Sequence, residues 1–89
     1  MAMIQSSFGN LEVLVAENNQ GVHYWRDHTG KWSKGGAFGN GVTEILGFVQ
    51  SSFGHIGNFE AVVLENGSKT HYWRDNDAPG FPWHKTVTF

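Results

Sequence analysis

The sequence predicts an all-β fold built from two similar four-stranded antiparallel units, and three observations support this prediction. Short runs of valine, threonine and aromatic residues alternate with polar residues, as they do in half-buried strands. Twelve glycines punctuate these runs, against only two prolines, so many tight turns are expected. The third observation is an internal repeat that covers nearly the whole chain.

Two pentapeptides each occur twice. QSSFG at 5–9 returns at 50–54, and HYWRD at 23–27 returns at 71–75. With the segment 55–57 treated as an insertion, further matches align Asn10, Glu12, Val15, Glu17, Asn18, Trp32, Lys34 and Phe38 with Asn58, Glu60, Val63, Glu65, Asn66, Trp83, Lys85 and Phe89. A period of about 45 to 50 residues is typical of propeller blades.

The second copy divides into four strand-like pieces, predicted at 48–53, 59–65, 70–75 and 83–89. Glycine, asparagine and proline in the intervening segments indicate hairpin turns, and the first copy follows the same plan with turns at 18–21 and 28–31. Four short antiparallel strands make one propeller blade. We therefore predict a first blade over about 3–38, a linker over 39–47 and a second blade over 48–89.

Two blades on their own leave two apolar faces in water. At about 25 cal/mol per Å², several hundred Å² of such surface would cost on the order of 10 kcal/mol, comparable to the stability of a domain. Propellers close with about four to eight blades, so the two-blade chain is expected to complete a β-propeller by homo-oligomerisation, as a cyclic trimer or tetramer. The alternative is a piece of a longer or designed propeller.

Composition and charge narrow the range of expected binding partners other than the chain itself. A net charge of −2 gives no basic surface for phosphate backbones, so nucleic acid is not expected as a partner. No apolar stretch reaches about 18 residues and the N-terminus does not resemble a signal peptide, so we expect a soluble protein made in the cytoplasm, without membrane insertion. His23 and His71 lack a second nitrogen or thiolate at ligand spacing, and neither metal nor cofactor is expected.

Three motifs carry a resemblance to a known family: SSFG at 51–54, GNFE at 57–60 and HYWRDN at 71–76. With them the chain resembles the seven-bladed β-propeller lectins of the Photorhabdus and Psathyrella velutina type. The resemblance implies sugar sites between adjacent blades, with fucose, N-acetylglucosamine or O-methylated sugars as ligands. Three features depart from the family: the first copy lacks the 55–57 insertion, its loop after Asp27 is shorter, and whole two-blade chains cannot make seven blades.

A pyranose needs an aromatic platform for its C–H face and planar polar groups for its hydroxyls. Alternation puts His23, Trp25 and Asp27 on one strand face and Tyr24 and Arg26 on the other. The predicted ligand-binding residues are Glu17, Asn18, His23, Trp25, Arg26, Asp27 and Trp32, with Glu65, Asn66, His71, Trp73, Arg74, Asp75 and Trp83 in the second copy.

Each of these residues also has a structural interpretation. Trp25 and Trp73 suit packing between blades, whereas Trp32 and Trp83 lie nearer a rim. The arginines suit ion pairs, and the aspartates and the Glu-Asn pairs suit turns. Glu12 and Glu60 share a strand face with apolar residues, so each must have a partner, from the protein or from a ligand.

Two rival functions remain open. A glycosidase would need an acid pair such as Glu12 with Asp27, but repeated equivalent sites favour binding over catalysis, which requires an asymmetric set of roles. No enzymatic activity is expected. The other rival is a structural scaffold or protein-interaction propeller that binds no sugar.

Overall fold

The protein forms two four-stranded antiparallel sheets, as a computed structural model covering residues 1–89 describes it. The strands are β1 (Ala2–Gln5), β2 (Leu11–Glu17), β3 (Gln20–Arg26) and β4 (Trp32–Phe38) in the first sheet, and β5 (Val42–Gln50), β6 (Phe59–Glu65), β7 (Ser68–Arg74) and β8 (Trp83–Thr88) in the second. Each sheet is a meander in chain order. The predicted all-β class with two four-stranded antiparallel units is confirmed. The chain offers no helix long and apolar enough to cross a lipid bilayer.

The central hairpin of each sheet closes through a two-residue turn with positive φ at both positions. Asn18 and Asn19 have φ of 53° and 63°, and Asn66 and Gly67 have φ of 50° and 80°. Such turns match the right-handed twist of the strands that they join, and asparagine and glycine tolerate their backbone conformation best. The turn chemistry thereby fixes the same register in both sheets.

The first strand of the second sheet differs from the prediction. β5 runs from Val42 to Gln50, so most of the stretch 39–47, expected to be a linker, is strand. Val42, Ile45 and Phe48 are all buried, but they do not alternate with period two. The register with β6 shifts twice, between Val42 and Glu44 and between Ile45 and Gly47. Such bulges place extra residues in one strand and hide its alternation from sequence inspection.

The two faces of each sheet carry different repeat positions. Side chains directly opposite each other on paired strands share a face. Glu12 pairs with Trp25, and Leu14 pairs with His23. We call the face that carries these residues, and their equivalents in the second sheet, the front face. The opposite face, which carries Tyr24 and its equivalents, is the back face.

The front face of the first sheet packs on the back face of the second. Phe38 of the first sheet stacks on Tyr72 and Trp83 of the second, with both ring centroids 4.5 Å away. Leu14 and Phe59 meet in the core between the sheets, and both are fully buried. The back face of the first sheet and the front face of the second are consequently left uncovered.

Candidate functional site

A pocket of about 400 Å³ opens between the two sheets. The first sheet and its loops contribute Phe8, Asn10, Glu12, His23, Trp25, Gly35 and Gly36, and the second contributes Arg74, Gly80, Phe81 and Trp83. The volume falls within the range of roughly 300–1,000 Å³ usual for small-molecule sites. Aromatic rings and a few polar groups together form its wall.

A buried chain of hydrogen bonds forms one wall of the pocket. His23 Nε2 lies 2.6 Å from Glu12 Oε1, and Ser6 Oγ donates to Glu12 Oε2 over 2.7 Å. The register of β2 and β3 brings Glu12 and His23 to the same face, and the turn that follows β1 places Ser6 beside them. The partner required for Glu12 is therefore supplied by the protein.

Two buried nitrogen atoms of pocket residues have no hydrogen-bond partner in the protein: His23 Nδ1 and Trp83 Nε1. Since His23 Nε2 faces a carboxylate, the hydrogen-bond network assigns the proton of the neutral imidazole to Nε2 and leaves Nδ1 as an acceptor. Trp83 Nε1 can only donate. A buried polar group without a partner costs stability, and both nitrogens lie in the wall with almost no surface open to the pocket, so the wall must shift slightly before water or a ligand can pair with them.

Two glycines of β4 lie against these nitrogens. A β-carbon on Gly35 would overlap His23 Nδ1, and one on Gly36 would stand 3.7 Å from Trp83 Nε1. Neither glycine has a positive φ, so backbone strain does not require them. The absent side chain at Gly35 instead admits the His23 ring, and the one at Gly36 leaves open the space beside Trp83.

Arg74 brings a buried positive charge to the pocket. Its guanidinium lies over Phe59 and Phe81, 4.3 Å and 4.6 Å from the ring centroids, and its Nε donates to Asn76 Oδ1. Burial lowers the pKa of Arg74 to about 10, against the opposing effect of the Glu12 charge. The side chain thus remains a cation at neutral pH, held by two aromatic faces.

The insertion at 55–57 and the longer loop that follows Asp75 stabilise each other next to Arg74. The insertion docks on Asp77, whose carboxylate accepts the N–H groups of His55 and Ile56 over 2.6 Å and 2.9 Å. These two backbone bonds lower the pKa of Asp77. Asn76 donates to the carbonyl of Gly57. The first copy lacks the insertion and has the shorter loop, and these two differences are linked. In the second copy each of the two segments supplies hydrogen-bond partners for the other.

The structure brings four of the predicted site residues into this pocket: His23, Trp25, Arg74 and Trp83. Their repeat equivalents lie on the uncovered faces. His71 and Trp73 are on the front of the second sheet, and Trp32 is on the back of the first, 47% exposed and 6.0 Å from the Arg26 guanidinium.

Asp27 and Asp75 cap the loops that follow β3 and β7. Asp27 Oδ1 accepts from Thr29 N and Thr29 Oγ1, which lowers its pKa, and Asp75 Oδ1 accepts from Asp77 N. With Arg26, Asp27 lines a more polar cavity of about 450 Å³ beside the back face of the first sheet. Both aspartates therefore stabilise turns, which is the structural role expected from the sequence as the alternative to sugar binding.

The remaining predicted residues lie at the other end of the sheets, at the central hairpins. Glu17 accepts from Tyr24 Oη over 2.7 Å, and Asn18 forms the turn beyond it. Asn66 Nδ2 donates to the carbonyl of Asn40. Glu65 is buried and accepts from Asn40 N and Tyr72 Oη, while Lys85 Nζ lies 3.0 Å from its Oε1. These four residues contribute nothing to the pocket between the sheets.

Sequence reasoning missed several wall residues: Phe8, Asn10, Gly35, Gly36, Gly80 and Phe81. The glycine pair offered a signal, because the repeat aligns Gly35 and Gly36 with Thr86 and Val87. Two small residues where the other copy has larger ones indicate a space that one copy keeps open. Phe81 lies in the variable loop, where the repeat provides no equivalent.

The acid pair considered for a glycosidase is not brought together in one cavity. Glu12 lines the pocket between the sheets, whereas Asp27 lines the separate cavity. The acid pair considered from the sequence is thus divided between two sites.

The chain matches no protein-family model, and comparison with curated proteins and with solved structures finds no similar protein.

Proposed function

We propose that the protein is a carbohydrate-binding lectin and that the pocket between its two sheets holds the sugar. The observation that carries this proposal is the meeting, in one cavity, of tryptophan rings with buried nitrogens that lack protein partners. An apolar ligand would leave those nitrogens unpaired. A highly charged ligand would find only Arg74 as a fixed cation.

The chemistry of the wall suits a pyranose. Trp25 is half-buried and offers a platform for the C–H face of the ring. Once a small shift of the wall opens them, His23 Nδ1 can accept from a sugar hydroxyl and Trp83 Nε1 can donate to one, directly or through a bound water. Arg74 adds charged donors beside them. The resemblance to the propeller lectins implies sugar sites between adjacent blades, with fucose, N-acetylglucosamine or an O-methylated sugar as the ligand.

The lectin would act as an assembly. A single sugar in an open pocket buries little surface, so we expect a dissociation constant in the micromolar to millimolar range. Joining copies into a cyclic trimer or tetramer presents several pockets to one glycan surface. Such multivalency raises apparent affinity by about 10² to 10⁴ without any new contact.

The experiment is a glycan-array screen followed by titration with the free sugar that competes best. Trp25→Ala removes the platform and should weaken binding about tenfold or more, equivalent to about 1.4 kcal/mol or more. Trp25→Phe keeps an aromatic face and should retain much of the affinity. Thr43→Ala, on an exposed part of β5, is the matched control and should bind as the unmodified protein does.

Absence of binding to every glycan by a folded, assembled protein would contradict the proposal. It would favour the structural or protein-interaction scaffold, for which the two uncovered sheet faces are the supporting observation. Binding that survives Trp25→Ala unchanged would move the sugar out of the pocket between the sheets.

A further inference from the structure

The two uncovered faces are repeat equivalents of the two faces already packed together. The front of the second sheet carries Glu60, His71 and Trp73 where the first carries Glu12, His23 and Trp25. The back of the first sheet carries Tyr24, Arg26 and Trp32 where the second carries Tyr72, Arg74 and Trp83. A second copy of the chain is therefore the occupant that fits the front of the second sheet.

Charge and shape agree with that occupant. Within the chain, the Glu12 charge favours the protonated form of Arg74 across the interface. The same pair between copies would be Glu60 with Arg26 of a second copy. Phe89 is 75% exposed, whereas its equivalent Phe38 is buried against Tyr72 and Trp83. Tyr24 and Trp32 of the second copy would receive Phe89 in the same way.

The pockets at the two kinds of interface would not be alike, because β4 and β8 differ at two positions. Gly35 lies beside His23 Nδ1, but its equivalent Thr86 fills that space and places Oγ1 2.6 Å from His71 Nδ1. Ser33 pairs with Trp25, but its equivalent His84 stacks on Trp73, with centroids 4.7 Å apart and planes inclined by 34°. Thr86 thus pairs with His71 Nδ1, the atom equivalent to the His23 acceptor, and His84 covers the Trp73 ring, which is equivalent to the Trp25 platform.

We propose that each chain binds one sugar, in the pocket within the chain, and that the equivalent pocket between copies is closed by Thr86 and His84 and serves assembly alone. This inference rests on the proposed function. It makes the number of sugar sites in the ring equal to the number of chains and not to the number of blades. Gly35 and Ser33 become the residues that decide which interface binds.

Arg26 gives the inter-copy pocket a weaker second wall as well. It is exposed, and His28 stands where the second copy has Asn76, which holds Arg74 by its Nε; the first copy also has no equivalent of Phe81, which covers the Arg74 guanidinium. The change from Asn76 to His28 accounts for the first difference, and the shorter loop after Asp27 accounts for the second. The second sheet therefore lends the intrachain pocket a fixed cation that the first sheet does not offer to a neighbouring copy.

The four tryptophans allow the two sites to be read separately, because each indole N–H gives its own signal in a proton–nitrogen NMR spectrum. L-fucose and N-acetylglucosamine are the probes, titrated into the assembled protein, with signals assigned by single Trp→Phe variants. Trp25 and Trp83 should shift, whereas Trp32 and Trp73 should not. The double variant His84→Ser with Thr86→Gly should add shifts of Trp32 and Trp73 and, at saturating sugar, double the number of bound sugars per chain, with weaker binding at the added site because Arg26 is not held as Arg74 is.

The reciprocal variant Ser33→His with Gly35→Thr should weaken binding at the intrachain pocket at least tenfold. Because Gly35→Thr crowds His23, folding is checked by the number of dispersed amide signals, and the His84→Ser, Thr86→Gly variant keeps the proposal decidable if folding fails. Shifts of all four tryptophans in the unmodified protein would overturn the inference and leave the lectin proposal standing. One bound sugar in the opened variant would also overturn it. No shift with any sugar would instead refute the proposed function.

Discussion

Glu12 and His23 form a buried pair, with His23 Nε2 2.6 Å from Glu12 Oε1 and side chains only 3% and 2% exposed. Their equivalents Glu60 and His71 form the same pair at 2.8 Å on the uncovered front of the second sheet, with side chains 20% and 25% exposed. Each glutamate also accepts from a serine, Ser6 or Ser51. The same polar unit thus exists once inside an interface and once on an open face.

Glu12→Gln tests the buried unit. The amide keeps one acceptor but brings two donors to a position where Ser6 and His23 both donate, so one charge-assisted bond is lost and a donor is left without an acceptor. We expect the free energy of unfolding to fall by about 1.5–3 kcal/mol. Urea unfolding followed by tryptophan fluorescence measures the loss, and a change below about 0.5 kcal/mol would contradict this account of the pair.

Glu60→Gln is the matched variant. In an isolated chain its partly exposed bond should be worth less, so the cost should be well below that of Glu12→Gln. In a closed ring Glu60 is covered by a second copy, and the two costs should converge. Comparing the variants above and below the concentration at which the protein assembles separates these cases. A cost for Glu60→Gln that is independent of assembly would count against the proposed contact.

Asn76→Ala tests the loop that holds Arg74. Asn76 is 2% exposed, and its side chain joins Arg74 Nε to the carbonyl of Gly57. Removing it leaves the buried Arg74 Nε without an acceptor and leaves Gln50 as the only side chain that donates to the carbonyl of Gly57, at an expected cost of about 3 kcal/mol. His28→Ala, at the exposed repeat-equivalent position of the first copy, should change stability by less than about 0.5 kcal/mol. Equal effects of the two variants in thermal unfolding would contradict this role for Asn76.

Glu65 predicts a loss of stability in acid. Burial alone would raise its pKa, but donation from Asn40 N, Tyr72 Oη and Lys85 outweighs burial and lowers the pKa of Glu65 below the ordinary value. A carboxyl whose pKa is lower when folded stabilises the protein above its unfolded pKa of about 4.3. That contribution disappears as the pH falls through the folded pKa.

Unfolding free energies measured between neutral pH and acid should therefore decline more steeply for the unmodified protein than for Glu65→Gln. Glu44→Gln, at an exposed position of β5, serves as the control and should keep the original slope. Identical slopes for all three proteins would show that the contacts of Glu65 do not carry the pH dependence.

Gly21 and Gly47 allow the steric effect of an added β-carbon to be measured separately from its effect on backbone freedom in the unfolded chain. A β-carbon on Gly21 would overlap the Phe38 ring, whereas one on Gly47 would meet nothing within 4 Å, and neither glycine has a positive φ. Gly21→Ala should cost about 1–3 kcal/mol through crowding of the core. Gly47→Ala should be neutral or stabilise by up to about 1 kcal/mol, because alanine has less freedom in the unfolded chain. Thermal unfolding of both variants checks the contrast.

The repeat, the strand class and the hairpin turns were predictable because each depends on local chemistry. Asn18 and Asn66 predict turns by residue type alone. The start of β5 was not predictable, since its two bulges remove the alternation that identifies a strand. Nor does the sequence tell which faces meet within the chain, because both copies carry the same pattern.

The pocket was predictable only in part for a related reason. HYWRD identifies His23 and Trp25 as candidates, and their shared face follows from alternation. His23 Nδ1 has no hydrogen-bond partner because the residue opposite it is Gly35, and a bulge in the pairing of β3 with β4 brings that glycine to this place. Contacts of that kind are set by register shifts, and residue types do not reveal them.

The most direct test of the central claim, that two sheets of one chain are consecutive blades of a ring closed by further copies, is the mass of the assembly. Size-exclusion chromatography with light scattering, repeated over a hundredfold range of concentration, should give three or four chains per particle. Val62→Lys places a charge on the open front of the second sheet, at the position equivalent to buried Leu14, and should shift the particle towards single chains. A stably folded monomer at every concentration would contradict the account.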